Sequence, residues 1–151
     1  MPTYLCYLPR DRFSPDQKGQ IADAIGFRHS EATGAPSYFV QVLIEDTQAD
    51  RYLGGERTPD HIWIRGDVRA GRTEEQRTAM MTKMMQDISR ITGVGQENVW
   101  VYVCNLGPTD MIEYGHVLPP PGQEKAWFES LPGSLRTYLA KLGTTMENFE
   151  L

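Results

Sequence analysis

Thr73-Glu74-Glu75-Gln76 repeats the plan of Ser14-Pro15-Asp16-Gln17, and this pair of tetrapeptides decides the fold. Each reads as an N-cap hydroxyl with Gln three residues later, and with acidic residues in the first turn where the helix dipole favours them. Gly34 and Gly93 close the two helices at similar places. Working outward, the first segment is a strand (Thr3–Leu8), a turn, a helix (Pro15–Ser30) and a strand (Tyr38–Ile44). The second is a strand (His61–Arg65), a turn, a helix (Glu74–Ile91) and a strand (Asn98–Cys104).

The helix faces agree with that division. Ile21, Ile25 and His29 recur at i, i+4 and i+8, and Met81, Met84, Met85, Ile88 and Ile91 form the matching stripe. The methionines are read as core filler. Tyr38-Phe39-Val40-Gln41-Val42 and Val99-Trp100-Val101-Tyr102-Val103 carry the β-branched and aromatic residues of strands. Two βαβ units imply an α/β (α+β) fold with a four-stranded mixed sheet and both helices on one face. The other face is then bare in one protomer, which suggests self-association. Expected boundaries are one domain over 1–151, with repeat one at about 2–45, repeat two at about 61–105 and a C-terminal extension at 106–151. Within the loop between repeats a short strand is expected near Tyr52-Leu53. The extension runs through Glu113-Tyr114-Gly115 and the stiff spacer Pro119-Pro120-Pro121-Gly122. Two short helices follow, around Glu124–Ser130 and Ser134–Leu142, with Trp127, Phe128 and Leu131 as anchors.

A chain of 151 residues suits one domain with a real core, and its 40% apolar and 23% charged fractions are those of a soluble globular protein. The net charge of −5 argues against a general nucleic-acid partner. No apolar stretch near twenty residues and no signal pattern are found, so neither membrane nor export is indicated and a cytoplasmic location is expected. Cys6 and Cys104 lack metal-ligand spacing and are expected as buried free thiols; His29, His61 and His116 are too scattered for a zinc site.

Pro2 lies directly behind the initiator Met and ahead of the apolar run Tyr4-Leu5-Cys6-Tyr7-Leu8. Trimming of Met1 would leave a free secondary amine, and α-amino groups titrate at about 7.7–8.0, close enough to neutrality for the surroundings to choose acid or base. Alternatively Pro2 only marks the start of a strand. Arg69 and Arg72 flank a helix N-terminus and suit a small carboxylate, since guanidinium forks bind carboxylates bidentately; the competing reading is a solvated basic loop. Glu113 stands among apolar neighbours that can raise its pKa and make it a base for water, or it is a residue of an exposed strand edge. Tyr102 offers a phenol to a substrate or water, or packs on the sheet. His29 alone is most simply a core histidine.

Taken together these residues resemble the tautomerase superfamily, whose members use an N-terminal proline on a βαβ scaffold, and within it the cis-3-chloroacrylic acid dehalogenase group. The resemblance runs from Pro2 to about Leu131 through Ala24-to-His29, Phe39-Val40-Gln41-Val42, Tyr52-Leu53-Gly54-Gly55, His61-Ile62-Trp63-Ile64, Arg69-Ala70-Gly71-Arg72, Val99-Trp100-Val101-Tyr102, Glu113-Tyr114-Gly115 and Trp127-Phe128. It implies that Pro2, Glu113 and Tyr102 are catalytic and that His29, Arg69 and Arg72 bind substrate. It also implies a homotrimer, a small carboxylate substrate and no metal or organic cofactor. The implied reaction is hydration or hydrolytic dehalogenation of an α,β-unsaturated carboxylate such as cis-3-chloroacrylate, with Pro2 as general acid. The alternatives are a keto–enol tautomerase of the phenylpyruvate type, with Pro2 as base, and a non-enzymatic interaction protein. His116 stands where relatives commonly carry Arg, and residues 31–37 form a loop in which relatives differ; both bear on substrate preference.

Overall fold

The computed structural model describes residues 2–36, 39–58 and 60–143. In chain order these form β1 (Thr3–Pro9), α1 (Pro15–Thr33), β2 (Gln41–Thr47), the small hairpin β3 (Tyr52–Leu53) and β4 (Glu56–Arg57), β5 (Ile62–Arg69), α2 (Glu74–Thr92), β6 (Val99–Leu106), a second hairpin β7 (Ile112–Glu113) and β8 (His116–Val117), then α3 (Glu124–Ser130) and α4 (Gly133–Gly143).

Both capping boxes form. Ser14 Oγ accepts from Gln17 N at 3.2 Å while Ser14 N donates to Gln17 Oε1, and Thr73 and Gln76 do the same on α2. Gly34 and Gly93 end the helices at φ 67° and 72°, a left-handed geometry that favours glycine. The spare amide of each capping Gln reaches the other helix: Gln17 Nε2 donates to Ile91 O and Gln76 Nε2 to Ala32 O. Each N-terminal box therefore also satisfies a carbonyl at the end of its neighbour. Between the helices, Arg28 grips the buried Asp87 with Nε at 2.6 Å and Nη2 at 3.3 Å.

The sheet order is β2-β1-β5-β6, with β1–β2 and β5–β6 parallel and β1–β5 antiparallel. The mixed sheet expected from the repeat is thus two βαβ units joined edge to edge. Alternation along β1 turns Tyr4, Cys6 and Leu8 toward the helices, where they meet Ile62, Ile64 and Val68 of β5, Ile21 and Ile25 of α1, and Met84 and Ile88 of α2. Each fully buried aliphatic side chain of this kind contributes about 1.5–3 kcal/mol. The opposite face is uncovered by the described residues: Leu43 and Tyr102 are each 47% exposed, Tyr7 stacks on Trp63 and Trp100 on Tyr102, and Trp63 meets Tyr102 edge-on.

Several details differ from the sequence expectation. The second strand begins at Gln41, because Phe39 turns out of the sheet, with its N–H bonded to Pro36 O, and packs with Leu118, Met111 and Trp127 of the extension. Tyr38 lies outside the described residues. The third long strand continues past Arg65 to Arg69, carried by pairing to β6 through Leu106. Met80 is buried and Met81 only partly so, because the rotation of α2 is set by docking of Asp87 and Met84 against α1 and the sheet. Cys104 is half-buried, while Cys6 is fully buried and sits on the other face, so the two free thiols are kept apart. No helix among the described residues is long and apolar enough to cross a membrane.

Candidate active site

The site begins with an omission. Gly66 on β5 has no Cβ, and one built there would lie 2.4 Å from Cε1 of Tyr4 on the neighbouring strand. That gap admits the Tyr4 ring beneath α1, where its hydroxyl meets Nδ1 of His29 at 2.8 Å and Sδ of Met80 at 3.5 Å. The hydroxyl is donor to the thioether, and the ring tautomer of His29 sets which partner donates across the contact with Nδ1. His29 is only 4% exposed. Burial, aided by the charges of Arg72, the chain's amino terminus and Arg69, lowers its pKa to about 3. His29 is therefore a neutral imidazole near pH 7, not a cation.

Pro2 is buried one residue ahead of β1, and its carbonyl accepts from Gln41 N at 3.0 Å, which ties the start of the chain to β2. Arg69 ends β5 and is 4% exposed. Its Nη1 donates to Pro119 O and its Nη2 to a carboxylate oxygen of Glu124, at the first turn of α3, while its Nε is buried without a partner. Arg72, in the loop before α2, is half-buried and its Nε is also unpartnered. Burial and the like charge of Arg69 lower its pKa while Glu124 opposes them, and a guanidinium this basic remains charged near pH 7.

Glu113 is supplied by the β7–β8 hairpin. Tyr114 and Gly115 turn the chain with φ of 52° and 78°, the geometry of a tight two-residue hairpin, and place Glu113 opposite His116. Glu113 lines a cavity of about 570 Å³ that also takes in Thr3, Gln41, Phe39, Asp110 and Tyr114. Burial raises its pKa, while the amino terminus and Arg69 pull it down. His29 feels the charges of Arg72 and Arg69, and Glu113 feels that of Arg69, so the four are linked electrostatically. Two basic groups, one neutral imidazole and one carboxylate with raised pKa can hold an anion and move a proton beside it.

Tyr102 is not in that group. It stands on β6 at the far edge of the sheet, on the uncovered face, with Trp63, Trp100 and the guanidinium of Arg51 for company. Two residues of the site have no evident signal in the sequence. Tyr4 reads as one letter of an apolar run, and only its shared strand face with Pro2 hints at a role. Glu124 is an ordinary acid in the first turn of a tail helix, 55 residues from Arg69. Among the described residues no group of three or more His, Cys, Asp or Glu could hold a metal ion.

Comparison with known proteins follows the same lines. The family model described as a putative oxalocrotonate tautomerase enzyme matches residues 1–130. A crystal structure of N1, a member of the cis-3-chloroacrylic acid dehalogenase family, superposes with a TM-score of 0.88 at 33% identity, over 92% of this chain and 99% of that one. Native Ps01740 follows with a TM-score of 0.68 at 27% identity, covering 74% of this chain and 99% of its own. The F6 fused 4-OT, solved as an asymmetric trimer, shares the fold with a TM-score of 0.71 at 23% identity over 83% of this chain and 98% of that one. A search of curated proteins returned no match. By the extent of the family match and by its likeness to N1, the chain belongs to the tautomerase superfamily and to its cis-3-chloroacrylic acid dehalogenase-like group.

Proposed function

We propose that this protein hydrates, or hydrolytically dehalogenates, a small α,β-unsaturated monocarboxylate such as cis-3-chloroacrylate. The observation that carries the reading is the coupling of Arg69 and Arg72 to His29 and of Arg69 to Glu113, with Glu113 raised in pKa by burial. Arg72 and Arg69, helped by His29, hold the carboxylate and draw electron density toward it. Glu113 takes a proton from water as its oxygen attacks C3. The prolinium nitrogen of Pro2, exposed by removal of Met1, delivers a proton to C2. With chlorine on C3, the chlorohydrin loses HCl to give malonate semialdehyde. A positioned acid or base of this kind typically contributes 10²–10⁴-fold. Tyr102 joins such a site only from another copy of the chain, because in its own protomer it faces out from the bare side of the sheet; a homotrimer is the assembly proposed.

The two arginines give a second reading its support. Their charge favours a neutral proline, and a Glu113 that burial makes easier to protonate opposes them less. A neutral Pro2 is a base and suits keto–enol tautomerisation, as of phenylpyruvate. The deciding experiment is chloride release from cis-3-chloroacrylate by protein whose loss of Met1 is verified by intact mass, with Pro2→Ala alongside. Fast release that falls at least about 100-fold in the variant supports the dehalogenase. Slow release together with rapid phenylpyruvate ketonisation, and a Pro2 nitrogen pKa below neutrality by NMR, replaces it with the tautomerase.

A further inference from the structure

We propose that Glu124 is a built-in competitor of the substrate: an internal carboxylate that occupies the fork of Arg69 and must be displaced before a ligand carboxylate can bind that arginine. The inference rests on the carboxylate-binding site proposed above and adds a residue and a control to it.

The argument is an accounting of Arg69. One terminal nitrogen is taken by Pro119 O, the other by Glu124, and Nε is enclosed by protein. Two of its five N–H donors are taken, and with the side chain only 4% exposed the remaining three have little access from outside, so a ligand carboxylate reaches Arg69 where Glu124 gives way. The pair is well shielded, with side-chain exposures of 4% and 18%. The strap that delivers Glu124 is packed directly over the arginine loop: a Cβ on Gly71 would sit 2.7 Å from Cγ of Pro121. The strap is anchored beside the Glu113 hairpin, where Trp127 Nε1 donates to Val117 O at 2.9 Å and Trp127 packs on Phe39. The field of Glu124 also reaches Arg72. A ligand carboxylate therefore meets Arg72 first and exchanges with Glu124 at Arg69, one carboxylate for another. The exchange is charge-neutral at Arg69, and the freed Glu124, at the start of a seven-residue helix, can turn toward water.

Neutralising Glu124 changes the balance in a recognisable way. Glu124→Gln leaves a buried guanidinium without its counter-ion, so the ligand-free protein is destabilised. A ligand carboxylate then becomes the missing partner instead of a rival. Propionate is the probe, because it has the three-carbon acid but no double bond to hydrate, so the result does not depend on turnover. By calorimetry, Glu124→Gln is expected to bind propionate about 10- to 100-fold more tightly than the parent, the weight of one charge-assisted hydrogen bond no longer displaced. Propionate is also expected to raise the melting temperature of the variant more than that of the parent. Glu124→Asp, one methylene shorter and still charged, should fall between the two and serves if the Gln variant does not fold. Lys125→Gln on the same helix should match the parent. Equal or weaker binding by both Glu124 variants overturns the proposal, as does propionate binding to neither protein. Chloride release by the parent, measured separately, reports on the reaction and keeps the two failures apart. Loss of propionate binding in Arg72→Ala confirms that the probe reads this site.

Discussion

Gly66→Ala tests the reasoning that links the sheet to the site. The added methyl carbon would lie 2.4 Å from Cε1 and 2.8 Å from Cδ1 of Tyr4, both in the ring of a fully buried side chain. To regain ordinary contact the ring must retreat by about 1 Å. Its hydroxyl, now 2.8 Å from His29 Nδ1, then leaves hydrogen-bonding range. Overpacking of this kind costs about 1–3 kcal/mol, and the lost hydrogen bond adds about 0.5–1.5 kcal/mol. Replacing Gly inside a strand returns about 0.5–1 kcal/mol of backbone entropy. The net is about 1–3 kcal/mol of destabilisation, or about 3–10 °C in melting temperature for a chain of this length. The assay is thermal unfolding at fixed protomer concentration, since association shifts the midpoint. It is completed by a double-mutant cycle with Tyr4→Leu, which removes the ring that the methyl meets. A melting temperature unchanged within error, or a Gly66→Ala cost that is the same with Leu at position 4, would refute the argument.

The pH response of His29 has a definite sign. Its native pKa is lowered to about 3, so below pH 6.5 the unfolded chain takes up a proton that the native ring refuses; the stability is full above pH 6.5 and falls toward pH 3, at up to about 1.4 kcal/mol per pH unit. Glu113, raised in pKa, acts in the opposite sense, so the parent shows the sum of the two. The difference between parent and His29→Asn in urea midpoints from pH 7 to 4 isolates the histidine, and parallel curves would contradict its burial as a neutral group. On the bare sheet face, Leu43→Glu is expected to reduce the assembled mass measured by light scattering, because a charge there must be buried when another copy covers it. An unchanged mass places the contact elsewhere.

The βαβ repeat was legible because its signals are local. A capping box needs four residues, a terminating glycine one, and the apolar stripe of α1 is fixed by the 3.6-residue period; Ile21, Ile25 and His29 are buried as read. The departures come where a distant partner outbids the local signal. Phe39 has strand propensity but is drawn out of β2 by Leu118 and Trp127. The strand expected to end at Arg65 continues through Gly66 because β1 and β6 pair on both sides, and the missing side chain leaves room for Tyr4. Of the six candidate residues, electrostatic coupling joins His29, Arg69, Arg72 and Glu113, Pro2 is buried at the start of β1, and Tyr102 lies on the open face of the sheet.

By itself, the sequence determined the two repeated units, their capped helices and the side of the sheet left bare, and it supplied the candidate site residues, all from residue type and short spacing. The tertiary structure alone decided their electrical states. Whether His29 is charged depends first on burial beneath α1 and then on the charges of Arg72 and Arg69. Whether Arg69 is open to a ligand depends on a carboxylate 55 residues along the chain. Desolvation and the Coulomb field act through space and ignore sequence separation, so these states exist only once folding has brought the groups together.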